Sequence, residues 1–167
     1  NSDSENLIVV VSAMGGMTDA LLKFSQTQDS KLIEGIQSLF IETTDSLVKT
    51  VSNRLSLIES FKQDIQKIKE IAKQKDHASI SIEENEILGF GEIWSSKLLH
   101  AYLSAFDEIE TSWLNPIDFL IIQNEDMGAN VNWFKSKEAF TEAIQDKSGK
   151  IIMGGFIASD IQGKSTN

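Results

Sequence analysis

The sequence predicts an α/β fold built on a mainly parallel sheet, and three observations carry that prediction. Leu7-Ile8-Val9-Val10-Val11 is a continuous β-branched run that passes straight into the glycine-bearing turn Ser12 to Asp19. Ile151-Ile152-Met153 is a second such run, ending in Gly154-Gly155-Phe156. Between them lie long stretches whose apolar residues return at helical spacing. Continuous apolar runs point to strands covered on both faces, as in parallel sheets. Strands alternating with helices point to the α/β class.

Taken in order, the first run predicts a strand buried on both faces. The turn after it supplies small residues, and Thr18 or Asp19 is placed to cap a helix from about Ala20 through Phe24. Leu32, Ile33, Ile36, Leu39 and Phe40, then Leu55, Ile58, Phe61, Ile65 and Ile68, describe two amphipathic helices near 31–52 and 54–75. Lys73 to Ser81 is polar and reads as a turn. Ser81 with Glu84 forms a capping box for a third helix, which carries Ile87, Leu88, Trp94, Leu98, Leu99, Tyr102, Leu103 and Phe106. Glu108 to Leu114 then alternates as a strand, punctuated by Asn115-Pro116. Phe119 to Ile122 is a strand or a short helical turn, 123–132 a polar loop, and Lys137 to Ile144 a short helix. The tail from Ser159 reads as a loop or the first arm of a hairpin. No internal repeat, low-complexity tract or clear domain boundary interrupts the 167 residues.

Composition narrows the function classes. Apolar residues at 41% and charged residues at 24% match an ordinary globular protein. With no cysteine, disulfides, Cys-ligated zinc and thiol chemistry are excluded. His77 and His100 are the only histidines, which excludes a His-rich metal cluster. Fifteen basic against 25 acidic residues leave a net charge of −10, unsuited to nucleic acid or an anionic membrane. No apolar run approaches the ~20 residues of a spanning helix. The acidic, polar start Asn1-Ser2-Asp3-Ser4-Glu5 does not read as a signal peptide, so a cytoplasmic setting is expected.

Three stretches can carry chemistry. In Ser12 to Thr18, glycines at a strand's carboxyl end let a ligand approach the backbone, and the next helix offers free N–H donors to an anion. The alternative is an ordinary strand-to-helix turn. Neither a Gly-Lys-Ser/Thr phosphate loop nor a Gly-x-Gly-x-x-Gly fingerprint is present. In Gly89-Phe90-Gly91-Glu92, two glycines inside a helical pattern cost roughly 2 kcal/mol. Either close packing or a ligand facing the backbone must offset them, and a carboxylate at Glu92 could receive a substrate ammonium group. Taken alone, Glu92 reads as a solvated helix residue. Gly154-Gly155-Phe156-Ile157 is a further glycine turn after a buried strand, open to a structural reading as a tight turn. Trp94, Trp113 and Trp133 do not recur at a stacking spacing and are expected in the core or at its edge. His100 is expected to be structural and His77 exposed. The Lys and Glu residues of 62–75 form a solvated face.

These stretches, in this order, resemble the aspartate kinases of the amino-acid kinase superfamily. Val9-Val10-Val11-Ser12-Ala13-Met14-Gly15-Gly16-Met17-Thr18-Asp19 looks like that family's second strand and its loop. Gly91-Glu92-Ile93-Trp94-Ser95-Ser96 looks like its helix-borne Gly-Glu element, and Gly155-Phe156-Ile157, with Ser159 and Gly163, like a later strand end. The resemblance implies a three-layer α/β/α amino-acid kinase (carbamate kinase-like) fold, with residues 1–167 as a partial, N-terminal domain and a helical segment at about 31–106. It implies transfer of the ATP γ-phosphoryl, with Mg, to the side-chain carboxylate of L-aspartate, the first step toward lysine, threonine and methionine.

By motif match, Ser12, Ala13 and Thr18 line the aspartate pocket, Glu92 meets the ammonium group and Phe156 lies beside it. Gly15 and Gly16 give backbone room near the reacting groups. The family's Lys-Phe-Gly-Gly and Leu-Gly-Arg-Gly-Gly-Ser-Asp motifs do not occur in these residues, and Arg54, the only Arg, lies in the helical stretch. The chain is therefore expected to be an incomplete, inactive piece of a larger homo-oligomeric enzyme, holding no ATP tightly. Missing its first strand, it is also expected to leave a sheet edge at which chains could pair. Two other readings stay open, another amino-acid kinase such as one acting on acetylglutamate, and a non-catalytic helical interaction module.

Overall fold

The computed structural model describes residues 7–74, 82–106, 109–125, 128–160 and 165–166. Strands β1 (Ile8–Val11), β2 (Thr111–Leu114) and β5 (Lys150–Gly154) form a parallel sheet in the order β1-β5-β2. Register pairs Val11 with Gly154 and Leu114 with Met153, so the carboxyl ends of all three strands share one side of the sheet. β5, in the middle, buries Ile151 and Ile152. β1 departs from expectation, with Ile8 43% and Val10 59% exposed and only Val9 and Val11 half-buried. A β-branched run favours the extended backbone whether or not both faces are covered. Here β1 lies at the edge of the described sheet, and its burial alternates along the strand.

Four helices form a layer, of which the fourth packs directly on the sheet. α1 (Met17–Thr27) starts three residues earlier than expected. Gly16, at φ +77°, occupies the N-cap with no side-chain cap, so Thr18 and Asp19 lie within the first turn rather than before it. α2 (Ser30–Leu47) is capped by Asp29, whose carboxylate accepts the Lys31 N–H at 3.0 Å. α3 (Val51–Gln74) and α4 (Ile82–Leu103) follow, and Phe106 falls beyond the helix end, 45% exposed. The capping box at Ser81, and His77, lie outside the described residues.

The centre of the helical layer is aromatic. Phe40 and Phe61 stack at 4.1 Å, and Trp94 meets Phe61 edge-on at 4.6 Å. The Trp94 indole donates to Asp64 at 3.0 Å, which satisfies its only polar atom inside the core. Burial pushes the Asp64 carboxyl above the usual range, an effect the indole hydrogen bond opposes. Every residue from Gly89 to Ser96 is buried, so α4 is a central helix enclosed on all sides rather than a surface one.

Residues 123–132, expected as loop, instead supply most of β3 (Ile121–Glu125) and β4 (Gly128–Val131), an antiparallel pair. β6 (Ala158–Asp160) runs parallel to β3, and β7 (Ser165–Thr166) pairs antiparallel with β6, giving a second sheet ordered β4-β3-β6-β7. The segment 123–132 holds Gln, Asn and Glu and lacks apolar alternation, so backbone pairing rather than side-chain pattern makes these strands. The β6–β7 pairing agrees with the hairpin reading of the tail. α5 (Trp133–Ile144) starts four residues before Lys137, capped by the Asn132 side chain at 3.0 Å. That start leaves Trp133 76% exposed, so it belongs neither to the core nor to its edge. A smaller apolar cluster of Leu114, Phe119 and Ile151, with Phe140 against Phe119 at 5.0 Å, joins α5 to the parallel sheet.

Candidate functional site

The glycine-bearing stretches meet where β1 and β5 end. The Gly155 N–H donates to Val11 O at 2.9 Å, tying the two strand ends together. α4 crosses directly behind them. A Cβ on Gly91 would stand 3.0 Å from Ala13 Cβ and 3.5 Å from Met17 Cγ, and one on Gly154 would stand 3.1 Å from Glu92 Cβ. Close approach of α4 to the β1–α1 loop is therefore what Gly91 allows, at a cost in helix propensity of about 1 kcal/mol, and its close approach to β5 is what Gly154 allows.

That approach encloses Glu92, which is 8% exposed and not the solvated helix residue its position alone would suggest. Burial raises its carboxyl above the usual glutamate range, and hydrogen bonds from the backbone N–H groups of Glu92 and Ala13 act against the rise. No ion pair to Glu92 is formed among the described residues. The arrangement is a buried carboxylate, held by the backbone of the β1 loop, at the carboxyl ends of parallel strands. Chemically it suits a cationic group of a ligand, which would replace lost hydration with a direct charge contact.

The other expected site residues distribute unevenly. Ala13 lies against Gly91, and its N–H serves Glu92. Gly15 and Gly16 stand in the open, with no heavy atom within 4 Å of where a Cβ would be. Thr18 and Phe156 are exposed, and neither side chain hydrogen-bonds Glu92. Phe156 adopts φ +53°, a left-handed conformation rare for a bulky residue, and is 74% exposed just past β5. Ser12 lines a mostly apolar hollow of about 250 Å³ together with Met14, Leu47, Ser95 and Tyr102, a lining that does not include Glu92.

Ser95 was not singled out by the sequence reading. It is 6% exposed, and its Oγ is buried without a hydrogen-bond partner. Its position three residues after Glu92, almost one turn along the same helix, was the available signal. His100 is half-buried with Nδ1 3.0 Å from Thr111 Oγ1, and burial lowers its pKa, in keeping with a structural role. Arg54 pairs with Asp45 at 3.4 Å, far along the chain from the strand ends. Among the described residues no group of three or more His, Asp or Glu is placed to hold a metal ion, and no helix is long and apolar enough to cross a membrane.

The Amino acid kinase family matches residues 1–167. The chain is 27% identical over 173 residues to the bifunctional aspartokinase/homoserine dehydrogenase 2, chloroplastic, of Arabidopsis thaliana, and 25% identical over 170 residues to the corresponding enzyme 1. These alignments cover 97% and 96% of this chain but only 19% and 18% of those relatives, so it spans about a fifth of their length. Among solved structures, E. coli aspartokinase III in complex with lysine and aspartate superposes with a TM-score of 0.78 at 18% identity, covering 99% of this chain and 38% of that one. The same enzyme with aspartate and ADP gives 0.77, again at 18% identity, with 99% and 37% covered. At that identity the likeness establishes the fold, and the family match across every residue establishes descent. The chain belongs to the amino acid kinase family, with the fold of its aspartokinase members.

Proposed function

We propose that this chain is the N-terminal, substrate-side part of an aspartate kinase, which transfers the γ-phosphoryl of ATP to the side-chain carboxylate of L-aspartate. The observation that carries the reading is Glu92. It is a buried carboxylate without an ion-pair partner among the described residues, set by Gly91 and Gly154 against the β1 loop and β5. In this reading Glu92 receives the substrate ammonium group, and Ser12, Ala13 and Thr18 line the pocket with Phe156 at its rim. Gly15 and Gly16 leave the backbone approachable. The first turn of α1, which has no side-chain cap, offers N–H groups toward negative charge. Phosphoryl transfer depends on positioning and charge neutralisation, which residues of this kind supply without a covalent intermediate.

The described residues supply no three-ligand set for Mg, so no step is assigned to the metal here. On its own the chain is proposed to be inactive and to hold no ATP tightly. The whole enzyme is proposed to be a cytoplasmic homo-oligomer serving lysine and threonine synthesis. The test is acyl-phosphate formation by the full-length protein with ATP, trapped by hydroxylamine, using aspartate and separately acetylglutamate. Activity with aspartate that falls at least about a hundredfold in Glu92→Ala supports the assignment. A folded, full-length protein inactive on aspartate overturns it.

A further inference from the structure

A cavity suited to a small ligand lies away from the strand ends. It is a groove of about 570 Å³ between the first turns of α3, the last turns of α4 and the amino end of β2. Its walls include Asn53, Ser60, Lys97, Ser104, Thr111 and Lys147. Two ammonium groups and several hydroxyls face it, and no carboxylate lines it, in a chain whose net charge is −10.

Lys97 is held in place. Its Nζ donates to Ser60 Oγ at 3.1 Å and stands 5.2 Å over the Trp113 ring, which leaves two of its three protons free. Two carboxylates lie near the groove without lining it, and the Lys97 ammonium acts on one of them, Asp64. Asp64 accepts the Trp94 indole and Glu110 accepts the Ser148 hydroxyl. Lys147 forms no ion pair among the described residues. Thr111 Oγ1 lies within hydrogen-bond distance of both His100 Nδ1, at 3.0 Å, and Ser104 Oγ, at 3.2 Å, a network that fixes hydroxyls along the floor. Burial lowers the pKa of His100, so the imidazole adds a hydrogen-bonding group rather than charge.

We infer that this groove binds the phosphate group of a small molecule, at a site separate from the one built around Glu92. Lysine ammoniums and hydroxyls, with no guanidinium fork, suit a tetrahedral phosphate better than the planar carboxylate that Arg grips in two-point fashion. The asparagine lies in the first turn of α3, where helix N–H groups and the positive end of the dipole add to the attraction. The groove opens at the amino end of β2, whereas Glu92 lies at the carboxyl ends of the strands. A ligand there would touch no reacting atom and would act through α4, the helix that carries both Lys97 and Glu92.

The test uses the full-length protein labelled with 5-fluorotryptophan, with the Trp113 resonance assigned by Trp113→Phe. Inorganic phosphate and glycerol 3-phosphate are titrated at constant ionic strength against chloride. Saturable movement of the Trp113 signal is expected with at least one of them, weakened roughly tenfold in Lys97→Met and by a smaller factor in Lys147→Ala. Tighter binding of glycerol 3-phosphate assigns the site to phosphorylated metabolites, and equal binding assigns it to free phosphate. Absence of a saturable shift with either probe overturns the inference, as does a shift unchanged in both variants. Lys147 is exposed, so its variant decides the matter even where Lys97→Met fails to fold.

Discussion

Two pairs of glycines lie within one region of this molecule and do opposite things. Gly15 and Gly16, in the β1–α1 loop, have no neighbouring heavy atom where a side chain would go. Gly91 and Gly154, on α4 and β5, would each push a Cβ to about 3 Å from Ala13 or Glu92. The first pair leaves space and, at Gly16, supplies a left-handed turn. The second pair removes space and so brings a carboxylate into the protein interior. Glycine at a strand's carboxyl end is therefore not one signal. It leaves open space in one case and permits close packing of a helix in the other.

The comparison breaks most readily at the packed pair. Gly154→Val should cost about 1–3 kcal/mol, because the new side chain meets the Glu92 backbone as well as the tip of Ile157, and a helix backbone cannot yield as a flexible side chain can. Thermal unfolding should show a drop of several degrees. Next comes Gly16→Ala, which has space but the wrong backbone, and should cost about 1–2 kcal/mol through its positive φ alone. A fall in melting temperature with no change in near-ultraviolet dichroism would match that origin.

A subtler effect separates the carboxylate from its packing. The folded pKa of Glu92 is raised, so the native state binds more protons than the unfolded chain between the ordinary glutamate pKa, 4.5, and the folded value. Stability carried by this group is therefore lost as pH rises through that window. Glu92→Gln, which cannot ionise, should gain in melting temperature relative to the parent at pH 7, and the gain should shrink as pH falls toward 4.5. A difference independent of pH would mean that the charge is not what burial penalises. The smallest effect belongs to Gly15→Ala, expected within about 0.5 kcal/mol of the parent in denaturant unfolding, since neither neighbours nor φ oppose it.

Much of this was legible from residue order. The strand at Leu7–Val11, the helical stretch and its break near residue 50, and the strand at Ile151–Met153 all follow from local pattern, and the structure has them within a few residues. What escaped has specific causes. β3 and β4 continue through a polar segment because backbone pairing, not a hydrophobic face, makes the ladder. α1 begins at Met17 because a left-handed Gly16 can start a helix without the side-chain oxygen that Thr18 or Asp19 would contribute. Trp133 is exposed because α5 starts early and turns it outward, which composition does not reveal. At the site, Glu92 was marked by the glycines before it, whereas Ser95 had only its helical phase relative to Glu92.

Periodicity, glycine placement and charge were thus enough to assign the α/β class and to single out the segments that the proposed function uses, because they depend on neighbours within a few residues. Which carboxylate is buried, which glycine is open and where Lys97 and Lys147 come together depend on contacts between residues far apart in the chain. Those contacts exist only once α4 has packed across the ends of β1 and β5, and that packing, a sum over many side chains, is what the tertiary structure decides.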